Sequence, residues 1–293
     1  MGEDETDSSG RLRTDVFHSS FDAFLPVEMA RRAEKIGVAK VKLSCMKMFL
    51  LAVLAGAFIA LGAIFSTTAT TGGDLPFGLT RLLAGFTFSL GLILVVVAGA
   101  ELFTGNNLVV MALASRRISL GQLLKNWTVV YLGNFAGAIT TAGIVFLARQ
   151  FEQGGGAVGR NAVAIANAKC QLDLVEAFFL GALCNALVCL AIWLCYSARS
   201  TTDKILSIVF PITAFVAAGF EHSIANMYFI PIGILIKSSG SDTVQIADSL
   251  ADLTWTNFLL ANLVPVTLGN IVGGSVMVGL VYWFIHLRNH DAQ

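Results

Sequence analysis

From Met48 to Ile285 the chain is a succession of long uncharged stretches cut by short polar connections. Four of them, Lys47 to Asp74, Lys125 to Arg149, Glu176 to Arg199 and Asp252 to His286, hold no charge between their bounds. Each reaches the roughly 20 apolar residues a helix needs to cross a bilayer. Two further stretches depart from that pattern. Arg81 to Arg116 encloses about 34 residues with Glu101 inside, and Lys204 to Lys237 about 32 with Glu221 and His222 inside. Such a stretch is too long for one straight span and too short for a helical hairpin. The pattern predicts one discontinuous helix in each, interrupted at GAELFTGN (99–106) and GFEHSIAN (219–226). Irregular backbone at membrane depth is tolerated only where it is buried in protein or lines a water-filled cavity. The expectation is six membrane segments, near 45–66, 82–115, 126–148, 175–198, 204–236 and 254–286, in an all-α membrane protein.

Composition strengthens this reading. Charged residues make up 13% of the chain, about half of what a soluble protein carries, and the mean hydropathy is +0.75. A net charge of zero gives no reason to expect nucleic acid. The five cysteines form no CxxC pair and fall mostly in or near apolar spans, where a buried thiol is expected. The opening MGEDETDSSG is acidic and polar, unlike a signal peptide, and predicts a disordered tail over 1–20. Residues 21–44 read as an amphipathic helix and lead-in, with Phe21, Phe24, Leu25 and Ile36 as an apolar edge lying at the membrane interface. Residues 45–288 are expected to form a six-span transmembrane domain and 289–293 a short tail. Lysine and arginine cluster before the first span (Arg31, Arg32, Lys35, Lys40, Lys42 and Lys47), in the second and fourth connections (Arg116, Arg117, Lys125, Arg199, Lys204) and at Arg288. By the positive-inside rule both termini face the cytoplasm.

The two interrupted segments also share a motif. Gly99, Glu101 and Asn106 align with Gly219, Glu221 and Asn226. The following spans repeat as well, NWTVVYLGNFAG (126–137) against NLVPVTLGNIVG (262–273), which pairs Asn126 with Asn262 and Leu132-Gly133-Asn134 with Leu268-Gly269-Asn270. A unit of three spans inserts its two copies with opposite polarity, an inverted 3+3 repeat. Interrupted helices at matching places in such halves point to a transport site near the midplane.

Mid-membrane charges carry the chemistry. A charge at a helix centre costs about 2.5–3.5 kcal/mol on the insertion scale. Glu101 and Glu221 are therefore expected to be neutral or hydrogen-bonded to amides freed at the half-helix ends, as anchors of the broken loops. His222 has Leu102 as its repeat partner, so no symmetric scaffold requires it, and histidine changes charge near neutral pH. No HExxH spacing and no GxSxG nucleophile occurs, so neither a metal site nor a hydrolase is indicated, and no cofactor is implied. A neutral-solute pore of the aquaporin type would carry twin Asn-Pro-Ala boxes, and the sequence has none.

GAELFTGN, GALCNALVCLA (181–191) and GFEHSIANM (219–227) resemble three signatures of the formate/nitrite transporter family. TATTGGDLPFG (68–78), FSLGLILVVVAG (88–99) and NMYFIPIGI (226–234) resemble its formate channel branch. The resemblance covers roughly residues 21–288 and implies an aquaporin-like helical fold, a homopentamer with one pore per protomer, and formate or a similar small anion as cargo in the bacterial inner membrane. It further implies a pore centre at His222 and Thr104, with Leu102 and Phe103 in the adjacent loop. Leu92, Phe88, Phe215 and Val188 match the apolar constrictions, and Asn185 and Asn270 match polar pore residues. Lys169 matches a basic residue on the outer approach. Lys40 and Glu221 match residues tied to substrate attraction and to orienting the histidine. Nitrite, hydrosulfide and short monocarboxylates are the alternative cargoes.

The orientation is testable. A cysteine placed at Arg160 should react with an impermeant thiol reagent added outside, and one placed at Arg117 should not. The reverse labelling would overturn the expected topology.

Overall fold

The computed structural model describes residues 23–241 and 250–288. The expectations for 1–20 and 289–293 fall outside these residues. Among the described residues the elements are all helices: α1 (Pro26–Val41), α2 (Cys45–Ala69), α3 (Phe77–Ala98), α4 (Phe103–Asn106), a 3₁₀ turn (Asn107–Val109), α5 (Val110–Ala114), α6 (Leu120–Leu147), α7 (Ala157–Cys170), α8 (Leu174–Ser197), α9 (Thr201–Ala218) and α10 (Ser223–Ser239). The last span, Asn257–His286, contains α11 (Val264–Ile271) and α12 (Val281–His286) with π-helical stretches at Asn257–Leu263 and Val272–Leu280. Pro265 lacks the N–H that would bond the carbonyl one turn earlier, and the first π stretch lies where that bond is missing. Six of these helices are long and apolar enough to cross a membrane.

Several spans begin at a polar cap where the chain leaves water. Ser44 accepts from Lys47 N–H, and Asp173 accepts from the amides of Val175 and Glu176. At the start of α6, Ser119 and Gln122 cap each other reciprocally. The second span starts at Phe77, a turn earlier than expected. Arg81, read from sequence as the membrane edge, lies inside α3, because its guanidinium is occupied by carbonyls of α9. The interruptions are also shorter than expected. Only 99–102 and 219–222 leave the helix, and Phe103 and Ser223 resume it.

The packing follows the repeat. In the first half α2 packs on α3 and α6; in the second α8 packs on α9 and α11. Helix α3 also packs on α9, joining the halves. Helix α1 lies against α5, and α7 against α10, so each half owns a short helix as well as three spans. This arrangement fits the expected inverted repeat. Of the apolar edge expected for α1, Phe21 falls outside the described residues, Phe24 packs on the cluster of Met29, Ala30 and Trp193, Ile36 is half-buried, and only Leu25 departs from it. The buried face of α1 is Met29, Ala30, Ala33, Gly37 and Val41, and Leu25 is exposed. Gly37 sits against Ala112 and Val109, so α1 packs on protein. Cys170, Cys184, Cys189 and Cys195 are buried, whereas Cys45 is exposed; in α7, burial pushes the Cys170 thiol up to about 11.

Close helix approach relies on small residues. A Cβ on Gly269 would lie 2.0 Å from the Phe178 carbonyl oxygen, and its counterpart contacts around Gly133 and Gly137 are similarly tight against Ala52 and Val53. A backbone obstacle cannot rotate away. Gly269→Ala should therefore destabilise the fold by at least about 1–3 kcal/mol. Gly143→Ala, where nothing lies within 4 Å of the new carbon, should be neutral or slightly stabilising. Thermal unfolding of the purified protein, followed by the loss of monodisperse oligomer, checks both.

Candidate permeation site

Each broken span turns on a glycine with positive φ. Helix α3 ends at Gly99 (φ 84) and α9 at Gly219 (φ 81). The next amides close the helix end, Ala100 N–H on Val95 O at 2.9 Å and Phe220 N–H on Phe215 O at 3.0 Å. In the extended residues, Glu101 N–H donates to Leu51 O and Glu221 N–H to Leu180 O. The restart is capped by the asparagines of the Leu-Gly-Asn repeat. Asn134 Oδ1 accepts from Phe103 N–H and Asn270 Oδ1 from Ser223 N–H, both at 2.9 Å. The Asn134 amide donates to Ala52 O and Glu101 O, and the Asn270 amide to Gly181 O and Glu221 O. Each side chain thus uses both donors and its acceptor to tie a break to a neighbouring span.

The carboxylates do something other than the sequence suggested. They do not take the freed amides, which go to Asn134 and Asn270. Lys40 Nζ lies 2.7 Å from Glu101 Oε1, and Lys169 Nζ lies 2.6 Å from Glu221 Oε1. The other oxygens accept from Asn106 Nδ2 at 2.8 Å and Asn226 Nδ2 at 2.6 Å. Those amides donate in turn to Asn126 and Asn262. Both lysines occupy the last turn of the short helix before a span. A flexible four-carbon stem lets a surface helix deliver an ammonium to a buried carboxylate. Sequence comparison of the three-span units missed these short helices as repeat members, since apart from the terminal lysine little in them is alike.

The halves differ where the pore chemistry lies. His222 is the residue before α10, and its Nδ1 accepts from Ala225 N–H at 3.1 Å. A nitrogen that accepts an amide carries no proton, so the neutral ring bears its hydrogen on Nε2. That atom is 3.0 Å from Thr104 Oγ1, across the two breaks. Phe215 stacks on the imidazole with centroids 6.0 Å apart, and Phe88 meets Phe215 edge-on at 5.8 Å. Leu102 stands where the first half would have its histidine.

Two cavities approach this pair. One, of about 500 Å³, is lined by Phe88, Lys169, Phe215, Glu221 and His222 among others. The second, of about 480 Å³, is lined by Lys40, Glu101 and Leu102, with Arg32, Lys47 and Lys204. Thr104 is fully buried beside His222 and Leu102. Leu92 and Val188 are buried and line neither cavity. Phe103 packs on Tyr131 and Trp127 instead. Asn185 and Asn270 are likewise buried and line neither cavity: Asn185 Nδ2 donates to Asn107 Oδ1, to Asn270 O and, more weakly, to Thr104 O. Asn106, Asn134 and Arg81 were not singled out from sequence as site residues; the repeated Asn positions were the signal available for the first two.

Six apolar helices, two of them broken, with two cavities converging on a buried His–Thr pair, define a helical membrane pore. The chain belongs to the formate/nitrite transporter family, whose model matches residues 27–284. It is 47% identical over 277 residues to the formate channel FocA of Escherichia coli strain K12, spanning 92% of this chain and 97% of that protein. It is 41% identical over 268 residues to FocA of Haemophilus influenzae, spanning 88% and 93%. A solved structure of a pentameric formate channel with formate bound superposes with a TM-score of 0.78 at 49% identity, over 83% of this chain and 98% of that one.

The paired charges yield a prediction. Lys169→Met leaves the Glu221 carboxylate buried and uncompensated, which should cost about 3 kcal/mol. Adding Glu221→Gln removes the stranded charge while keeping an acceptor for Asn226, and should recover most of the loss. Thermal midpoints of the two variants measure this; equal destabilisation would mean that the ion pair is not the cause.

Proposed function

We propose that this chain forms a homopentameric pore for formate in the bacterial cytoplasmic membrane, one pore per subunit, with both termini cytoplasmic and the two halves inserted in opposite senses. The observation that carries this reading is the His222 Nε2–Thr104 Oγ1 contact between two lysine-bearing cavities. Its relatives named formate channels support the cargo.

A formate ion collected in either vestibule meets the apolar rings of Phe88 and Phe215 or the side chain of Leu102. Leu92 and Val188 complete the constricted region. A bare charge is costly to move through such a wall. The Thr104 hydroxyl, already accepting from Nε2–H, can turn its own proton toward a formate oxygen. When His222 carries a second proton, on Nδ1 in place of the Ala225 bond, it can pass its Nε2 proton through Thr104 to formate. The products are neutral imidazole and formic acid, which crosses without a charge and returns the proton on the far side. Asn185 bonds the Thr104 carbonyl, Asn270 bonds Glu221 O and Ser223 N–H on either side of His222, and Glu221 holds Lys169 beside them. Glu101 and Lys40 do the same for the other break.

Proteoliposome flux tests the role of His222. Asparagine is a good N-cap and can still hold Ala225 N–H, so His222→Asn should assemble as the wild type does. Wild-type uptake should rise as pH falls, because the protonated ring is the donor. In His222→Asn that rise should vanish while efflux of the anion persists. His222→Phe should stop both. Matching pH profiles for wild type and His222→Asn would exclude proton transfer by this residue.

A further inference from the structure

A helix cut in mid-membrane leaves its last carbonyls exposed, with a partial negative charge equivalent to about half an electron. The α9 half-helix ends this way at Ala218, and Val216, Gly219 and Phe220 of that end line the cavity that leads to His222. On their own these carbonyls would repel an anion one step before the pore centre. Arg81, in the second turn of α3, lines the same cavity. Its Nη2 donates to Val216 O at 2.5 Å and its Nε to Ala217 O at 3.1 Å.

We propose that Arg81 is the anion-collecting residue of the α7-side vestibule, acting by cancelling the negative end of α9 and leaving a net positive charge beside it; this rests on the formate-pore reading above. Among the described residues, the charged side chains lining this cavity are Arg81, Lys169 and Glu221. Lys169 is held on Glu221 at 2.6 Å, so that pair contributes no net charge. His222 is neutral while Nδ1 accepts the Ala225 amide. Arg81 bonds carbonyls rather than a carboxylate, and among the described residues its charge is therefore the one left over. Among the described residues no arginine bonds the matching end of α3, where Val95 O takes the Gly99 and Ala100 amides. The cavity on that side carries Arg32, Lys40, Lys47 and Lys204 against Glu101, so no single cation dominates it. The two mouths thus attract anions by different means, one residue against several.

The test is formate influx measured from each face, in right-side-out and inside-out membrane vesicles, at low and high ionic strength. In Arg81→Gln the half-saturating formate concentration from the α7 face should rise about three- to tenfold, as expected for losing one nearby unit charge in a partly aqueous cavity. Its salt dependence there should flatten, while the α1 face stays as in wild type. Arg81→Lys, which keeps the charge, should restore both. Wild-type half-saturation and salt dependence in Arg81→Gln at the α7 face would overturn the proposal. So would an equal loss from both faces that lysine does not rescue, the signature of a structural residue. Should Arg81→Gln fail to assemble, wild-type influx decides: a half-saturation at the α7 face that does not rise with salt overturns the proposal. If wild type passes nitrite but not formate, the cargo reading fails, and the same comparison with nitrite still decides the role of Arg81.

Discussion

The structure depends on satisfying backbone groups where two spans stop being helices. An unpaired amide or carbonyl in a water-free interior costs several kcal/mol, and each break exposes several. Asn134 and Asn270 meet this need with the same three bonds, one to the restarting helix and two to carbonyls. Because those bonds reach α2 and α8, they also fix how each break sits against its neighbouring span. Leu102 and His222, the residues in which the two halves differ, are mounted on these two loops.

On this shared mount the halves carry different side chains. Glu101 and Glu221 both pair with lysine and asparagine, so the loops are equally anchored. The next residue is Leu102 in one and His222 in the other. Pseudosymmetry brings the loops together, and the departure from it places one imidazole against one hydroxyl, Thr104, with Phe215 and Phe88 excluding water on one side. A symmetric pair of histidines would face each other as like charges on protonation; a single one avoids that repulsion.

Breaking a helix has an electrostatic consequence of each sign. The N-terminal end of α10 turns its positive pole toward His222 and suits an arriving anion. The C-terminal end of α9 opposes it, and the structure answers with Arg81 from α3. The same guanidinium explains why a charge in the sequence does not mark the end of a span.

The sequence by itself determined the six apolar segments, the two interruptions and the repeat, since bilayer thickness and the cost of intramembrane charge leave few readings of such a pattern. It singled out His222 because the repeat gives that position to leucine in the other half. Tertiary structure alone decided the partners. Lys40 and Lys169 are far in sequence from Glu101 and Glu221, and they meet only because short surface helices fold back over the loops. The breaks proved shorter than their motifs because Asn134 and Asn270 arrive from later spans to cap Phe103 and Ser223. Phe103, Asn185 and Asn270, assigned to the pore by resemblance, are buried and line neither cavity; which face of an apolar helix meets a cavity depends on neighbours that an all-apolar pattern does not specify. Periodicity reports burial in a membrane, whereas a pore is drawn by the few side chains that packing leaves uncovered.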